Sequence, residues 1–272
     1  MKETFSFIGI GNMGGAILKS ACGLLGPKDI FITDKNTALV RESTEKLGCV
    51  PVSGNLEAAE KADFVMLCVK PQIVGAVLSE IAPVLKKRED AGTPGVLVSI
   101  AAGVTIESLR AYVGQTQPIV RVMPNAPAMV GKGLSVIAVD GSTEEASVSQ
   151  LEAMLKGSGE TMYLSESLMD QATAAASCSP AFVYMFIEAL ADAGVMTGLS
   201  RKDALKLSAG AVWGAASMVL ETDMGPGELK DMVCSPSGST IRGVAALEEA
   251  GFRGAVIKGF MAAYERNVEM GQ

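Results

Sequence analysis

Nothing constrains this 272-residue chain more than its first turn. Phe5 to Gly9 is a short apolar run with the look of a buried strand, and it passes into G-I-G-N-M-G. Gly9, Gly11 and Gly14 have G-x-G-x-x-G spacing and open a helical run from Asn12 to about Cys22. Strand, Gly-rich turn and helix in that order form the context a dinucleotide-binding turn needs. Gly9 permits the tight turn, Gly11 leaves room for a pyrophosphate, and Gly14 lets helix and strand pack closely. The next strand, D-I-F-I-T at Asp29–Thr33, ends on Asp34. That is about 20 residues beyond the last glycine, where an acidic side chain takes an adenosine ribose diol. The alternative is a surface turn residue before Lys35-Asn36, and the fingerprint favours the first.

The βα alternation continues for roughly 160 residues. Helices are expected at Thr37–Leu47, from Asn55, at Gln72–Leu85, after Thr105 and at Thr143–Leu155. Strands are expected at Val50–Val52, Asp63–Val69, Gly95–Ile100, Pro118–Met123, Gly133–Val139 and Glu160–Leu164. The near-continuous apolar run D-F-V-M-L-C-V suits a central parallel strand covered on both faces. Val69 and Lys70 come at its carboxyl end, where open α/β sheets bind ligands, and Pro71 suits the first turn of the next helix. Ala101-Ala102-Gly103 leaves space after the following strand, and Asn125 stands in a stiff P-N-A-P loop with its amide available. The pattern predicts an α/β fold, a doubly wound, Rossmann-type parallel sheet over residues 1–164.

After Ser165 only helices are expected, so residues 165–272 read as an all-α domain. Pro180–Met196 is apolar on nearly every face apart from Tyr184, Glu188 and Asp192, spaced four apart, and Arg201–Glu221 is similar and rich in Ala and Gly. A domain of about 100 residues has too little interior to bury several such helices. The excess apolar surface predicts self-association through this half. The last helix, Arg253–Met270, carries more charge and is expected on the outside.

Composition removes whole classes of function. With no histidine, there is no imidazole acid–base catalysis, no Ser-His-Asp triad and little basis for a zinc site. A net charge of −7 disfavours nucleic acid and anionic membrane surfaces as partners. Five cysteines without a C-x-x-C pair suit reduced cytoplasmic thiols. Lys2-Glu3-Thr4 runs straight into a strand with no leader-like segment, and the charge-free run Leu207–Leu220 is too short to span a bilayer. A cytoplasmic protein without membrane or metal is the expectation.

One polar stretch remains, P-G-E-L-K-D-M-V-C-S-P-S-G-S-T-I-R-G at Pro226–Gly243. It reads as a helix over Glu228–Cys234, a loop over Ser235–Ser239, and a second helix starting near Thr240 with Ser239 or Thr240 as its N-cap. Glu248 and Glu249 lie too far along to fill the first turn. Taken alone, the stretch reads first as an ordinary capped loop between two helices. The alternative is that the N–H groups of Gly238, Ser239 and Thr240 form an anion site suited to a small carboxylate, with the Thr240 hydroxyl beside it.

Taken together, F-I-G-I-G-N-M-G, V-K-P-Q at Val69–Gln72, S-I-A-A-G-V at Ser99–Val104, R-V-M-P-N-A-P at Arg121–Pro127 and L-K-D-M-V-C-S-P-S-G-S-T-I from Leu229 resemble the pyrroline-5-carboxylate reductase family over essentially the whole chain. The resemblance implies reduction of 1-pyrroline-5-carboxylate to L-proline, the last step of proline biosynthesis, with NADP or NAD in reduced form as hydride donor. It assigns cofactor contacts to Gly9, Gly11, Asn12, Met13, Gly14, Asn55, Val69, Lys70, Pro71, Ala101, Ala102 and Asn125. It assigns the cyclic imino acid to Gly238, Ser239 and Thr240, with the Thr240 hydroxyl on the ring nitrogen. It also implies a dimer or a ring of dimers joined by the C-terminal helices, with the active site completed by a neighbouring subunit.

This chain departs from the family pattern in three places. Ala176-Ser177-Cys178-Ser179-Pro180-Ala181 stands where S-G-S-x-P-A is usual, so polar contacts at that helix start differ. Gly225-Pro226 replaces the familiar His-Pro. Asp34 stands where relatives often carry Ser or Pro, and its carboxylate would repel a 2′-phosphate. Two other readings of the chain are a β-hydroxyacid dehydrogenase, which would need a catalytic lysine near Lys202 or Lys206, and a scaffold that binds NAD(P)H without turnover.

Overall fold

A computed structural model describes residues 3–271; Met1 and Lys2, on which part of the reading of the N-terminus falls, lie outside them. The first part of the chain alternates as β1 (Phe5–Ile8), α1 (Asn12–Leu25), β2 (Ile30–Thr33), α2 (Thr37–Leu47), β3 (Val50–Pro51), α3 (Asn55–Lys61), β4 (Phe64–Leu67), α4 (Pro71–Asp90), β5 (Val96–Ser99), α5 (Ile106–Val113) and β6 (Ile119–Met123). A short 3-10 turn at Ala126–Val130 then leads to β7 (Gly133–Val139), α6 (Glu145–Leu155) and β8 (Gly159–Tyr163). The strands form one eight-stranded sheet in the order β3-β2-β1-β4-β5-β6-β7-β8.

The two faces of the sheet follow from strand alternation. Phe5, Phe7, Phe64 and Met66 belong to one buried cluster, with Ile17 and Leu18 of α1 and Leu151 and Met154 of α6. Ile8, Val65 and Leu67 belong to the other, with Val74 and Leu78 of α4 and Leu109 of α5. Successive side chains of one strand thus enter opposite layers, as a sheet covered on both faces requires. Phe5 and Phe64, on neighbouring strands, stack at 4.5 Å between ring centroids. Each such aromatic, once buried, stabilises the fold by about 2–3 kcal/mol.

The sheet departs from a fully parallel one at a single pairing. β7 runs antiparallel to β6, with Val120 opposite Val139, while β8 runs parallel to β7. The cause is the length of the connection. Pro124 to Lys132 holds only a 3-10 turn, and a crossover back to a parallel strand needs about a dozen residues or more.

Beyond β8 a helical run extends from Glu166 to Met196. It contains α7 (Met169–Ala172), a π-helical segment at Thr173–Cys178, and α8 (Ser179–Met196). Then come α9 (Arg201–Glu221), α10 (Pro226–Met232), α11 (Ser239–Glu249) and α12 (Phe252–Gly271). The chain forms two compact units: residues up to Ser177 together with those from Tyr264 on, and Cys178–Ala263.

Within the second unit α8 packs on α9, close enough that a Cβ on Gly194 would lie 3.1 Å from that of Ala204. Most apolar side chains of this unit nevertheless face outward. Met196 is 88% exposed, Leu220 85% and Trp213 70%. Phe182, Met185, Phe186, Leu247, Phe252 and Val256 line an apolar groove of about 630 Å³. By length and composition the Glu166–Met196 run could cross a membrane, with a mean hydropathy of 1.4 over a window that is only 11% buried. This run, and not the shorter charge-free stretch Leu207–Leu220, is the more membrane-like of the two, although Glu166, Asp170, Glu188 and Asp192 lie within it.

Candidate functional site

In the first unit the carboxyl ends of β1, β2 and β4 surround a cavity of about 250 Å³. Its walls bring together Gly9, Gly11, Asp34, Asn55, Val69 and Lys70 from the residues expected at a site, and add Thr33, Lys35 and Ile73. The parallel register explains the gathering. Ile8, Thr33 and Leu67 lie level across the three strands, and Gly9 N–H donates to Thr33 O at 2.9 Å. Whatever follows each strand therefore arrives at one edge.

The three glycines have three different reasons to be glycine. Gly9 has φ +92°, and a Cβ there would lie 2.8 Å from the Cys68 carbonyl oxygen. At Gly14 a Cβ would come within 2.5 Å of Gly9 O and 2.9 Å of Cys68 Cβ, so this position fixes the approach of α1 to the sheet. Around Gly11, by contrast, nothing lies within 4 Å of where a Cβ would stand. Gly11 is the N-cap of α1, no side chain caps that helix start, and its first turn holds no acidic residue. Open N–H groups with the positive end of a helix dipole behind them form a cradle for a phosphate. The residues present thus fit a dinucleotide pyrophosphate.

The remaining expected residues fall into groups. Asn12 is exposed beside Gly11, whereas Met13 packs against the core of the sheet. Asn55, at the start of α3, donates through Nδ2 to Glu80 Oε2 at 2.7 Å. Lys70 is an exposed N-cap residue and Pro71 opens α4, as its ring favours. Ala101 is buried, and Ala102 packs beside Met123 and Met169. Asp34 accepts the Ile10 N–H on Oδ2 and the Asn36 N–H on Oδ1, each at 2.8 Å.

The amide of Asn125 proves to be engaged at both ends rather than free. Its Oδ1 accepts the Leu134 N–H at 2.9 Å, and its Nδ2 donates to Ala176 O at 3.0 Å. Ser177 Oγ adds a bond to Pro124 O at 3.0 Å. The loop after β6 thereby holds the π-helical segment in place.

In the second unit the start of α11 stands one residue earlier than the sequence suggests. Gly238 is the N-cap, and Ser239 and Thr240 are the first helical residues, exposed, with no acidic side chain in the first turn. Ser237 adopts a left-handed φ of 60°, and Gly238 N–H closes the turn onto Ser235 O at 3.0 Å. That turn replaces the side-chain cap expected from Ser239 or Thr240, and it leaves the first N–H groups of the helix open. One helix earlier the same need is met differently, since Glu228 Oε2 reaches back to accept the Gly225 N–H at 2.8 Å.

Lys35, on the lip of the cavity, is a charged lining residue that the sequence did not assign to the site. Its position directly after Asp34 at the end of β2 was the available signal.

A sheet of this order with an open helix start behind its first turn is the frame of NAD(P)H-dependent oxidoreductases. Residues 4–103 match the family described as NADP oxidoreductase, coenzyme F420-dependent, which places the chain in that class. Residues 166–270 match the family described as pyrroline-5-carboxylate reductase dimerisation. The chain is 39% identical to the pyrroline-5-carboxylate reductase of Escherichia coli K12, with 99% of each chain covered. It is 38% identical to that of Glycine max, covering 98% of this chain and 96% of the relative. It belongs to the pyrroline-5-carboxylate reductase family. Among solved structures, a Plasmodium falciparum pyrroline carboxylate reductase with NADP bound superposes with a TM-score of 0.87 at 32% identity, covering 100% of both chains. A Coxiella burnetii pyrroline-5-carboxylate reductase gives 0.91 at 28% identity, again over 100% of both chains.

Proposed function

We propose that this chain reduces 1-pyrroline-5-carboxylate to L-proline, with the first unit holding a reduced nicotinamide dinucleotide and the start of α11 holding the substrate carboxylate. The observation that carries the substrate assignment is the helix tip at Gly238, Ser239 and Thr240, exposed and without a carboxylate of its own. A small anion there meets open N–H groups and a helix dipole.

The chemistry asks little of the side chains. A cyclic imine protonated on nitrogen is already electrophilic, and the bound nicotinamide supplies the hydride that its carbon accepts. The chain must bind both partners, exclude water and align them. Gly9, Gly11, Asn12, Met13 and Gly14 are assigned to the pyrophosphate side of the cofactor. Asp34, Asn55, Val69, Lys70, Pro71, Ala101, Ala102 and Asn125 are assigned around the rest of it. Thr240 can hold the ring nitrogen through its hydroxyl and help retain the proton there. A chain without histidine can do all of this.

The C-terminal half, taken as residues 165–272, serves as the substrate-binding and self-associating domain. The exposure of Met196, Leu220 and Trp213 and the apolar groove between α8 and α12 support burial against further copies, as a dimer or a ring of dimers in the cytoplasm. Such burial also accounts for the apolar character of the Glu166–Met196 run without a bilayer.

The test is steady-state loss of nicotinamide absorbance with pyrroline-5-carboxylate, run beside a panel of 3-hydroxy acids with oxidised cofactor. Turnover of the imine alone is expected. Oxidation of a hydroxy acid in its place would favour the dehydrogenase reading, and cofactor binding without turnover the scaffold reading.

A further inference from the structure

The carboxylate of Asp34 is fixed. It follows β2 directly, and its two oxygens accept backbone N–H groups at Ile10 and Asn36, each at 2.8 Å. The bond to Ile10 ties it to the Gly-rich turn between Gly9 and Gly11. The charge is therefore held at the wall of the cavity those glycines open onto. A surface turn residue would need only the local bond to Asn36. The bond across to the neighbouring strand's turn is what a bare capping role leaves unexplained.

We infer that Asp34 makes this chain selective for the non-phosphorylated cofactor, NADH over NADPH. The inference rests on the cofactor reading of the cavity given above. Each oxygen of a carboxylate can accept two hydrogen bonds, and here each has used one on the backbone. What remains matches two ribose hydroxyls, each with one proton to donate. A 2′-phosphate offers anionic acceptor oxygens in their place, so anion faces anion with no donor between them.

Asp34 has no easy way to retreat, because turning the carboxylate aside gives up both backbone bonds. Lys35, the exposed cation beside it, acts in the opposite sense. Its ammonium is solvated and mobile on a long stem, whereas the carboxylate is held by two bonds. Lys35 therefore moderates the selectivity and does not reverse it. A relative that holds NADP shows that the family frame admits the phosphorylated cofactor, so the selectivity belongs to this residue and not to the fold.

Equilibrium binding without imine tests this directly, using NADH, NADPH, ADP-ribose and 2′-phospho-ADP-ribose as probes. The wild-type chain is expected to bind each non-phosphorylated probe at least about tenfold more tightly than its phosphorylated counterpart. Asp34→Asn keeps an oxygen for the Ile10 N–H and removes the charge, and it should bring the two within about threefold, mainly by tighter binding of the phosphorylated probes. Asp34→Ser is the second variant should Asp34→Asn melt early. Equal or tighter binding of phosphorylated probes by the wild type, or an unchanged ratio in a folded variant, overturns the inference. Failure of all four probes to bind overturns the cofactor reading together with it. Selective binding without turnover of the imine leaves the inference standing and refutes the proposed reaction.

Discussion

Arg121 and Glu166 form an ion pair at 2.8 Å in which the arginine side chain is 5% exposed. Arg121 lies inside β6, and the same Glu166 Oε1 accepts the Ile106 N–H at 2.6 Å, at the start of α5. One carboxylate thus joins the middle of the sheet, the start of a helix beyond the Ala101-Ala102 turn, and the first residue of the long helical run. Removing it strands a buried guanidinium. Glu166→Ala should lower stability by about 2–3 kcal/mol, somewhat below the figure for a fully buried pair because Glu166 is partly solvated. Arg121→Met should cost less, since no buried charge is left behind. Denaturant melts of the two variants provide the comparison, and equal losses would show that the charge is not the cause.

Gly11 and Gly14 should separate binding from folding. Gly11→Ala adds a methyl where nothing lies within 4 Å, so its stability should stay within about 0.5 kcal/mol of wild type. Its dinucleotide affinity should fall by about tenfold or more, because the proposed pyrophosphate site needs that open space. Gly14→Ala pushes a methyl to 2.5 Å from Gly9 O, and it should destabilise the fold by about 1–3 kcal/mol. Thermal melts and cofactor titrations on both variants decide the matter.

Thr240→Ala should leave cofactor binding intact and lower kcat by about a hundredfold, the scale for losing one positioned proton-handling group. Thr240→Ser should recover much of that loss. Unchanged turnover at saturating imine would remove Thr240 from the mechanism.

Some of this was legible from the residues and some was not. The bounds of α2, α9 and β7 follow directly from periodicity and from Gly and Ser punctuation. The three glycines of the first turn were legible from their spacing after an apolar strand, although the atoms that crowd Gly9 and Gly14 include those of Cys68, far along the chain. The direction of β7 is invisible in its own apolar pattern, since a strand reads the same way whichever direction it runs. Its sign lay in the short connection before it. The cap of α11 was misplaced by one residue because Ser237 takes a left-handed conformation that serine gives no hint of. Asn125 looked free because its partners, Leu134 and Ala176, come from elsewhere in the sequence.

Alkaline pH offers a further check on local packing. Partial burial first, and then the hydrogen bond to Glu152 Oε2 at 2.8 Å, push the Tyr163 hydroxyl up to about 12. A folded value above the unfolded one means that the phenol's stabilising effect is complete below about pH 10 and disappears as pH rises toward 12. Tyr163→Phe should therefore flatten the decline of Tm over that window. The effect should be small, because the ring is 46% exposed.

The most direct measurement follows the hydrogen itself. Reduction of pyrroline-5-carboxylate with nicotinamide cofactor deuterated at the transferable position should place deuterium on the ring carbon that had been the imine carbon, in water of natural isotopic composition. A single deuterium there, formed at the rate of nicotinamide oxidation and slowed in Thr240→Ala, is the predicted result. Proline formed without the label, or no proline while the cofactor stays bound and reduced, would contradict direct hydride transfer by this chain.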